Sequence, residues 1–233
     1  MRFESFRNSA GAVGGGGYCL DGEPIGMVES HKDLGVLIDT SLKFHRHIRS
    51  ITNKAAALSN NLLRTTLCRD PDFMKTLFIA HIRPHLEFCS SLWNTGYIGD
   101  LRLLESVQRR WTREVDGMEE KSYGERLLAM DLYSVKGRLL RADLIRCWKI
   151  FNGKCVIAPS DLFEMSPHPG TRGHIFKVMH IRCRLDSRKR SYAIRIAPVW
   201  NSLPEGLVLS DSVDIFKRGL HSVINAKLFD YFE

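Results

Sequence analysis

The chain has 233 residues, 44% of them hydrophobic and 26% charged, which is ordinary for a globular protein large enough to bury a core. It contains no run of about 18 apolar residues, so its composition excludes a membrane-spanning helix. Residues 1–17 lack the continuous apolar centre of a secretory signal. We therefore expect an intracellular protein, cytoplasmic or nuclear, that is not secreted and has no membrane partner.

The net charge of +8 is unevenly distributed along the chain. Residues 1–120 contain 15 basic and 15 acidic side chains, so the whole excess falls in residues 121–233. Residues 172–195 contain a single acid, Asp186, and eight basic side chains: Arg172, Lys177, Arg182, Arg184, Arg188, Lys189, Arg190 and Arg195. Such a block is either a solvated face or a surface that attracts a polyanion.

The chain is predicted to begin with a Gly-rich stretch followed by a small β unit. Residues 1–17 lack the Gly-Lys-Ser/Thr ending of a phosphate-binding loop, and we expect them to be disordered. Asp21-Gly22 favours a two-residue hairpin turn. Alternating apolar residues over 32–39 predict a further strand. Residues 18–40 would therefore form at most a three-stranded antiparallel unit.

Residues 41–117 are predicted to form a bundle of three amphipathic helices. The first, over 42–67, repeats apolar residues at steps of three and four. The second follows residue 70, and the third spans 99–115. Because short loops join them, consecutive helices should run in opposite directions.

Several residues mark where these helices begin or bend. Thr40 or Ser41 is expected to cap the first helix. Asp70, followed by proline, is expected to cap the second helix, and Pro84 should kink it. Ser122, with glutamate three positions later, forms a capping box that opens a fourth helix.

Residues 118–233 are predicted to form a basic α+β domain. A long helix over 134–151 comes first, then strands over 175–183 and 191–196 on either side of a basic turn, and finally an amphipathic helix over 213–224. The whole chain is therefore expected to be mainly α with small β elements, that is, α+β.

Few residues suggest metal or catalytic chemistry. His81, His85 and Cys89 recur at helical spacing, but they share a face with apolar residues, so we interpret them as core side chains rather than zinc ligands. The six cysteines include no Cys-x-x-Cys pair, and we expect reduced, mostly buried thiols. No nucleophile motif and no catalytic carboxylate pair is present, so no catalytic site, cofactor site or metal site is predicted.

The remaining pattern is typical of nucleic-acid binding. Basic side chains on exposed helix faces could contact phosphates, namely Arg46, Arg49, Arg64, Arg109, Arg110 and Arg113, together with the block over 172–195. Candidate stacking residues are Phe176, Tyr192, Trp111 and Trp200, of which the two tryptophans are expected in the core.

From residue 18 to the last helix, an ordered set of motifs resembles the C-terminal third of reverse transcriptases from LINE-type (non-LTR), jockey-like retrotransposons. The primer-grip hairpin of that family is similar to YCLDGEPI and KDLGVLIDTSLKFHRHI. The thumb is similar to HIRPHLEFCSSLW and LESVQRRWTREVDG, and the post-thumb domain to the segment from SYGERLLAMDLYSVKGRLL to APVWNSLPEGLVLSDSVDIFKRGL.

The resemblance implies a role without polymerisation. The family's motif-A aspartate and its Tyr/Phe-Ala-Asp-Asp dyad, which hold Mg²⁺, are absent from this sequence, so we expect a truncated, inactive segment of an RNA-directed DNA polymerase. Its expected partners are RNA or DNA and the palm and fingers portion of the polyprotein. The alternative is a domesticated, stand-alone RNA- or DNA-binding protein without an enzymatic role.

The resemblance also assigns roles to residues near the predicted hairpin and first helix. Leu34, Gly35 and Val36 would hold the primer end, and Arg46, Arg49 and Lys54 would follow template–primer phosphates. The block over 172–195 is added from its charge alone, as a contact to template RNA or target DNA.

Overall fold

The computed structural model describes residues 19–21, 23–24, 26, 28–167 and 173–231. The strands are β1 (Cys19–Leu20), β2 (Glu23–Pro24), β3 (Ser30–Asp33) and β4 (Val36–Asp39). The helices of the first half are α1 (His45–Thr65), α2 (Pro71–Leu77), α3 (Arg83–Glu87), α4 (Ser90–Trp93) and α5 (Ile98–Arg113). Those of the second half are α6 (Tyr123–Ala129), α7 (Val135–Phe151), α8 (Pro159–Leu162), α9 (Asp186–Lys189), α10 (Tyr192–Asn201), α11 (Glu205–Val208), α12 (Val213–Val223) and α13 (Asn225–Leu228). The prediction of a mainly α protein with small β elements is confirmed.

The β elements are two separate antiparallel hairpins. The first pairs Leu20 with Glu23 around Asp21, whose φ is 51°, so the predicted hairpin turn is confirmed. The strand predicted over 32–39 is wrong, because the chain reverses at Leu34 and Gly35, with φ of 44° and 91°. The alternation of apolar residues continues from one short strand across the turn into the next, so the sequence pattern did not reveal the turn. Instead of one three-stranded unit, the described residues form two two-stranded sheets.

The first helix begins later than the sequence indicated. The Ser41 hydroxyl donates to the Asp39 carboxylate at 2.5 Å instead of capping a helix, so the predicted cap at Thr40 or Ser41 is wrong. The chain turns once more at Phe44, whose φ is 59°, and α1 then starts at His45. Phe44 and Ile48 anchor the start of α1 in the core.

The second helix follows its predicted signals. The Asp70 carboxylate accepts the backbone N–H groups of Asp72 and Phe73, which confirms the cap. Residues Phe78–Ile82 widen into a π-helical turn just before Pro84. The interruption predicted at this proline therefore takes the form of a π turn, because proline has no N–H to donate to the preceding turn.

The bundle of α1, α2–α3 and α5 has the predicted up-down-up order. His45 contacts Asp100 at 2.7 Å at one end of α1 and α5, and the Asp116 N–H donates to the Arg69 carbonyl at the other end. The first and third helices therefore run side by side in the same direction. Trp111 of α5 is fully buried, and its indole donates to the Met74 carbonyl of the second helix.

Helix α7 connects the two hydrophobic clusters of the described residues. Val135 and Leu139, in its first half, belong to the cluster that includes the bundle. Trp148, in its second half, belongs to the other cluster, where it stacks on Phe216 with ring centroids 5.7 Å apart. The C-terminal segment then returns to the start of α7, because the Leu228 carbonyl accepts the Ser134 N–H at 3.0 Å.

The predicted basic β region is wrong. Residues 191–196 begin the helix α10, whose buried residues Ile196, Ala197 and Trp200 have helical spacing. Residues 175–183 pair with another strand only at the isolated bridge between Met165 and Val178 in the described chain. The alternation of apolar residues was too short to distinguish a strand from one turn of helix.

The helix predicted over 213–224 is confirmed as α12. The capping box at Ser122 is also confirmed. Among the residues that the structure places, no helix has the length and apolar character needed to cross a bilayer.

Candidate nucleic-acid interface

The hairpin β3–β4 places its predicted residues in different environments. Leu34 is 88% exposed at the turn, whereas Val36 is 2% exposed and packs into the core. Gly35 and Lys54 line one groove of about 500 Å³ with Lys32. A ligand can therefore reach the tip of the hairpin and the groove beside it, whereas Val36 is buried in the core and cannot contact a ligand.

His47 fixes the hairpin to α1. Its Nδ1 accepts the Leu37 backbone N–H at 3.2 Å, and its ring is buried. Burial, and secondarily the charge of Lys32, lowers the pKa of His47. The neutral ring is required here, because a protonated Nδ1 could not accept the hydrogen bond.

The exposed face of α1 continues from this groove. Arg46, Arg49 and Ser50 line a second groove of about 500 Å³, and Ser50 also lines the first. Arg46 reaches the Ser30 hydroxyl at 3.5 Å, and Arg49 has no hydrogen-bond or ion-pair partner among the described residues. The predicted face is therefore solvent-exposed and cationic. Arg64 lies about 22 Å further along α1.

Tyr97 lies between α1 and the basic block over 172–195 and contacts both. Its ring lies 4.8 Å from the ring of His45, and the guanidinium of Arg190 lies 3.8 Å from its centroid. The Tyr97 hydroxyl donates to the carboxylate of Asp186, at the start of α9. A third groove, of about 530 Å³, is lined by His45, Arg49 and Tyr97.

The charges at Tyr97 are mutually compensated. The hydrogen bond raises the pKa of Tyr97 and lowers the pKa of Asp186. Tyr97 therefore remains a donor and Asp186 a carboxylate at neutral pH. Arg190 pairs with Asp186 at 3.2 Å and donates to the Thr95 carbonyl. Arg190 thus serves as an attachment of the segment.

The other basic residues of this segment divide into exposed and buried groups. Arg182, Arg184, Arg188 and Lys189 are exposed and have no side-chain hydrogen bond or ion pair within the described parts of the chain. Lys177 is half-buried beside Gly173. Arg172 lies outside the described residues.

Arg195 takes a structural place instead of a surface one. Its guanidinium pairs with Asp143 at 2.9 Å, and it donates to the Ser91 carbonyl. Burial raises the pKa of Asp143, and the charge of Arg195 opposes this. Arg195 therefore ties α10 to α7 and α4 and is not available to a phosphate.

The candidate stacking residues are largely occupied by the core. Trp111 and Trp200 are fully buried, as expected. Phe176 stacks on Phe151 at 5.4 Å, and the Tyr192 hydroxyl donates to the Asp143 carbonyl. Base stacking on these four rings would require the core to open.

Arg109 and Arg110 lie away from Tyr97. They are near the C-terminal end of α5, about 16 Å along the helix from its start. Arg109 lies over the ring of Tyr123 at 4.9 Å, whereas Arg110 is exposed. The structure therefore does not bring these two arginines together with the α1 face.

The interpretation of His81, His85 and Cys89 as core side chains is partly wrong. His81 and Cys89 are exposed and His85 is half-buried, because the π turn rotates the helix face between them. No group of three His, Cys, Asp or Glu side chains in the described residues could hold a metal. Of the five cysteines with described side chains, all are free thiols and only Cys147 is buried, so the expectation of mostly buried thiols is wrong.

We define the basic strip as Lys32, Lys54, Arg46 and Arg49, which line two grooves that share Ser50, together with Arg188 and Lys189 of α9, the short helix at whose two ends Asp186 and Arg190 contact Tyr97. Sequence reasoning found its cations except Lys32, and it also missed Tyr97. The sequence signal for Tyr97 was its position between a glycine and the start of a helix. In the structure that glycine, Gly96, has a φ of 69°, and Tyr97 directly precedes α5. No protein-family model, curated protein or solved structure matches the chain. The fold and the strip define a mainly helical protein with an exposed basic surface.

Proposed function

We propose that this chain is a nucleic-acid-binding segment related to the reverse transcriptases of non-LTR retrotransposons, and that it binds template–primer or other nucleic acid without polymerising it. The observation that carries the proposal is the basic strip. Two cationic regions about 140 positions apart in sequence meet at Tyr97, where His45 and Arg190 contact the same ring.

The strip suits a phosphate backbone. Two nearby acids have partners of their own, Asp100 with His45 and Asp186 with Arg190. Arg46 and Lys54 are eight residues apart on α1, or about 12 Å along its axis. Along the axis of a duplex, where successive phosphates of one strand rise by about 3.4 Å, that length spans three to four phosphates.

The resemblance supports the position of the strip and the absence of polymerisation. The segment similar to the thumb's first helix carries Arg46, Arg49 and Lys54, and the sequence contains no Asp-Asp dyad. The exposed hairpin tip at Leu34 is where a palm domain of a longer polyprotein would pack. A stand-alone RNA- or DNA-binding protein would use the same strip.

The test measures the affinity for a fluorescent single-stranded RNA and for a DNA duplex as a function of salt. Arg46→Ala/Arg49→Ala and Arg188→Ala/Lys189→Ala each remove two cations from the strip. Each should reduce the slope of log K against log salt by about 1.4 for the single strand and about 1.8 for the duplex.

The matched control is Arg110→Ala/Arg113→Ala, which removes the same charge from the far end of α5. It should change the slope by less than half as much. Equal slopes for all three variants would show that only the net charge matters and would refute the strip. Mg²⁺-dependent nucleotide incorporation on a homopolymer template would refute the absence of polymerisation.

A further inference from the structure

A second cationic region lies between α3–α4 and α7. It is a groove of about 760 Å³, and we call it the α7 groove. Its charged lining consists of one acid, Glu87, and six basic side chains: Arg83, Arg138, Arg141, Arg146, Lys149 and Lys154. It shares no lining residue with the grooves of the basic strip. Its function is therefore separable from that of the strip.

The wall of the α7 groove is rigidly built around Arg138, which is 4% exposed. Arg138 donates through Nη1 to Gln108 Oε1 and the Tyr133 carbonyl, both at 2.6 Å, and through Nε to Glu87. Its Nη2 has no hydrogen-bond partner among the described residues. Because Nη2 is itself buried, Arg138 adds its positive charge to the wall of the groove, and a ligand would contact the exposed cations.

Most of the positive charge of the groove is not neutralised, because one carboxylate serves two of the six cations. Glu87 is shared by Arg83, at 3.0 Å, and Arg138. Arg141 Nε is also buried without a partner in the described chain. Lys149 and Lys154 are exposed. The six cations and single carboxylate leave a net charge of +5 in a concave site, where low-dielectric walls strengthen attraction for an anion.

We propose that the α7 groove binds a linked chain of phosphates, such as the triphosphate of a nucleotide. The fixed charge matches a compact ligand with several negative charges, and guanidinium groups suit phosphate oxygens in pairs. The volume lies in the range of small-molecule sites, and Tyr133, Ile145 and Ile157 add apolar side chains to the lining. The phosphates could belong to a free nucleoside triphosphate or to the 5′-triphosphate end of an RNA.

The experiment titrates the full chain with inorganic tripolyphosphate by calorimetry at about 0.1 M salt. Lys149→Ala/Lys154→Ala removes two exposed cations from the groove, so the fold should persist, and circular dichroism checks it. The dissociation constant should rise about 10- to 30-fold, as expected for the loss of two solvent-exposed ionic contacts. Lys149→Arg/Lys154→Arg should restore binding.

Two controls separate the α7 groove from general charge. Arg110→Ala/Arg113→Ala removes the same charge elsewhere, and Arg46→Ala/Arg49→Ala removes it from the strip. Both should leave tripolyphosphate binding within about twofold of the parent chain, a difference of about 0.4 kcal/mol. Absence of tripolyphosphate binding, or equal weakening by all three alanine pairs, would overturn the proposal while leaving the proposed function to its own test.

Two further arms identify the source of the phosphates. Tighter binding of ATP than of tripolyphosphate, lost in Lys149→Ala/Lys154→Ala, would support a free nucleotide. Tighter binding of a 5′-triphosphate RNA than of its 5′-hydroxyl form, lost in the same variant, would support an RNA end. If the groove variant weakened 5′-hydroxyl RNA as much as tripolyphosphate, the groove would hold an ordinary backbone and the preference for linked phosphates would be wrong.

Discussion

Replacing Gly137 with alanine should detach the C-terminal segment from α7. A Cβ at this position would lie 2.2 Å from the Leu228 carbonyl oxygen and 2.6 Å from its Cα, whereas ordinary contact begins near 3.4 Å. The two backbones would therefore have to separate by about 1.2 Å. Neither is the end of a flexible side chain, so the strain cannot be relieved by a rotamer change.

The expected change in the free energy of unfolding is the sum of opposing contributions. Alanine gains up to about 1 kcal/mol over glycine inside a helix. Overpacking costs about 1–3 kcal/mol, and moving Leu228 also breaks its hydrogen bonds with the Ser134 N–H and hydroxyl, at about 1 kcal/mol each. The net destabilisation should be about 2–4 kcal/mol, or a melting temperature lower by about 4–16 °C.

Urea unfolding followed by circular dichroism measures this change in free energy. The matched control is Gly99→Ala, since an added Cβ there meets no atom within 4 Å and the residue is also helical. It should be neutral or stabilising by up to about 1 kcal/mol. If Gly137→Ala were as stable as the parent chain, the close packing of α7 against the C-terminal segment would be refuted.

The remaining predictions concern buried ionisable groups and a cap. His174 is buried, and its Nε2–H donates to the Trp200 carbonyl at 2.9 Å. Burial lowers its pKa, so the unfolded chain binds the proton first and stability should fall as the pH drops below about 6.5. His174→Gln should make this part of the pH profile shallower in thermal melts, with the buried His47 supplying the rest of the slope, and an unchanged profile would refute its role. Arg195→Met should destabilise by about 3 kcal/mol by leaving Asp143 unpaired. The double variant with Asp143→Leu should recover much of this loss in urea unfolding, whereas additive losses would contradict a direct pair. Ser122→Ala should cost about 1 kcal/mol by removing the N-cap of α6, and a loss below 0.3 kcal/mol would count against the cap.

Local signals predicted the helices because they act within a few residues. Asp70 and Ser122 cap their own helices through N–H groups two or three positions away. Pro84 interrupts its helix because of its missing N–H. The prediction was wrong where a short apolar pattern suits both a strand and a helix. Residues 191–196 were predicted as a strand, but they lie at the start of α10, which buries Trp200.

The candidate site was only partly predictable. The exposed cations of α1 were visible from helical periodicity, and those of residues 182–189 from charge alone. Their meeting at Tyr97 was not visible, since Tyr97 and Arg190 are 93 positions apart. The burial of Arg195 was also not visible, because an arginine in a basic block has the same local pattern whether or not a carboxylate such as Asp143 lies opposite.

The sequence by itself determined the helical class, the caps at Asp70 and Ser122, the basic balance and the absence of the Asp-Asp dyad, since each depends on composition or on neighbours within one turn. Tertiary structure alone decided which cations remain exposed and which become internal ion pairs. It also created the α7 groove, where Arg83 and Lys149 line one cavity although 66 positions separate them. The physical reason is that a charge acts through space, and only packing sets the distances over which it acts.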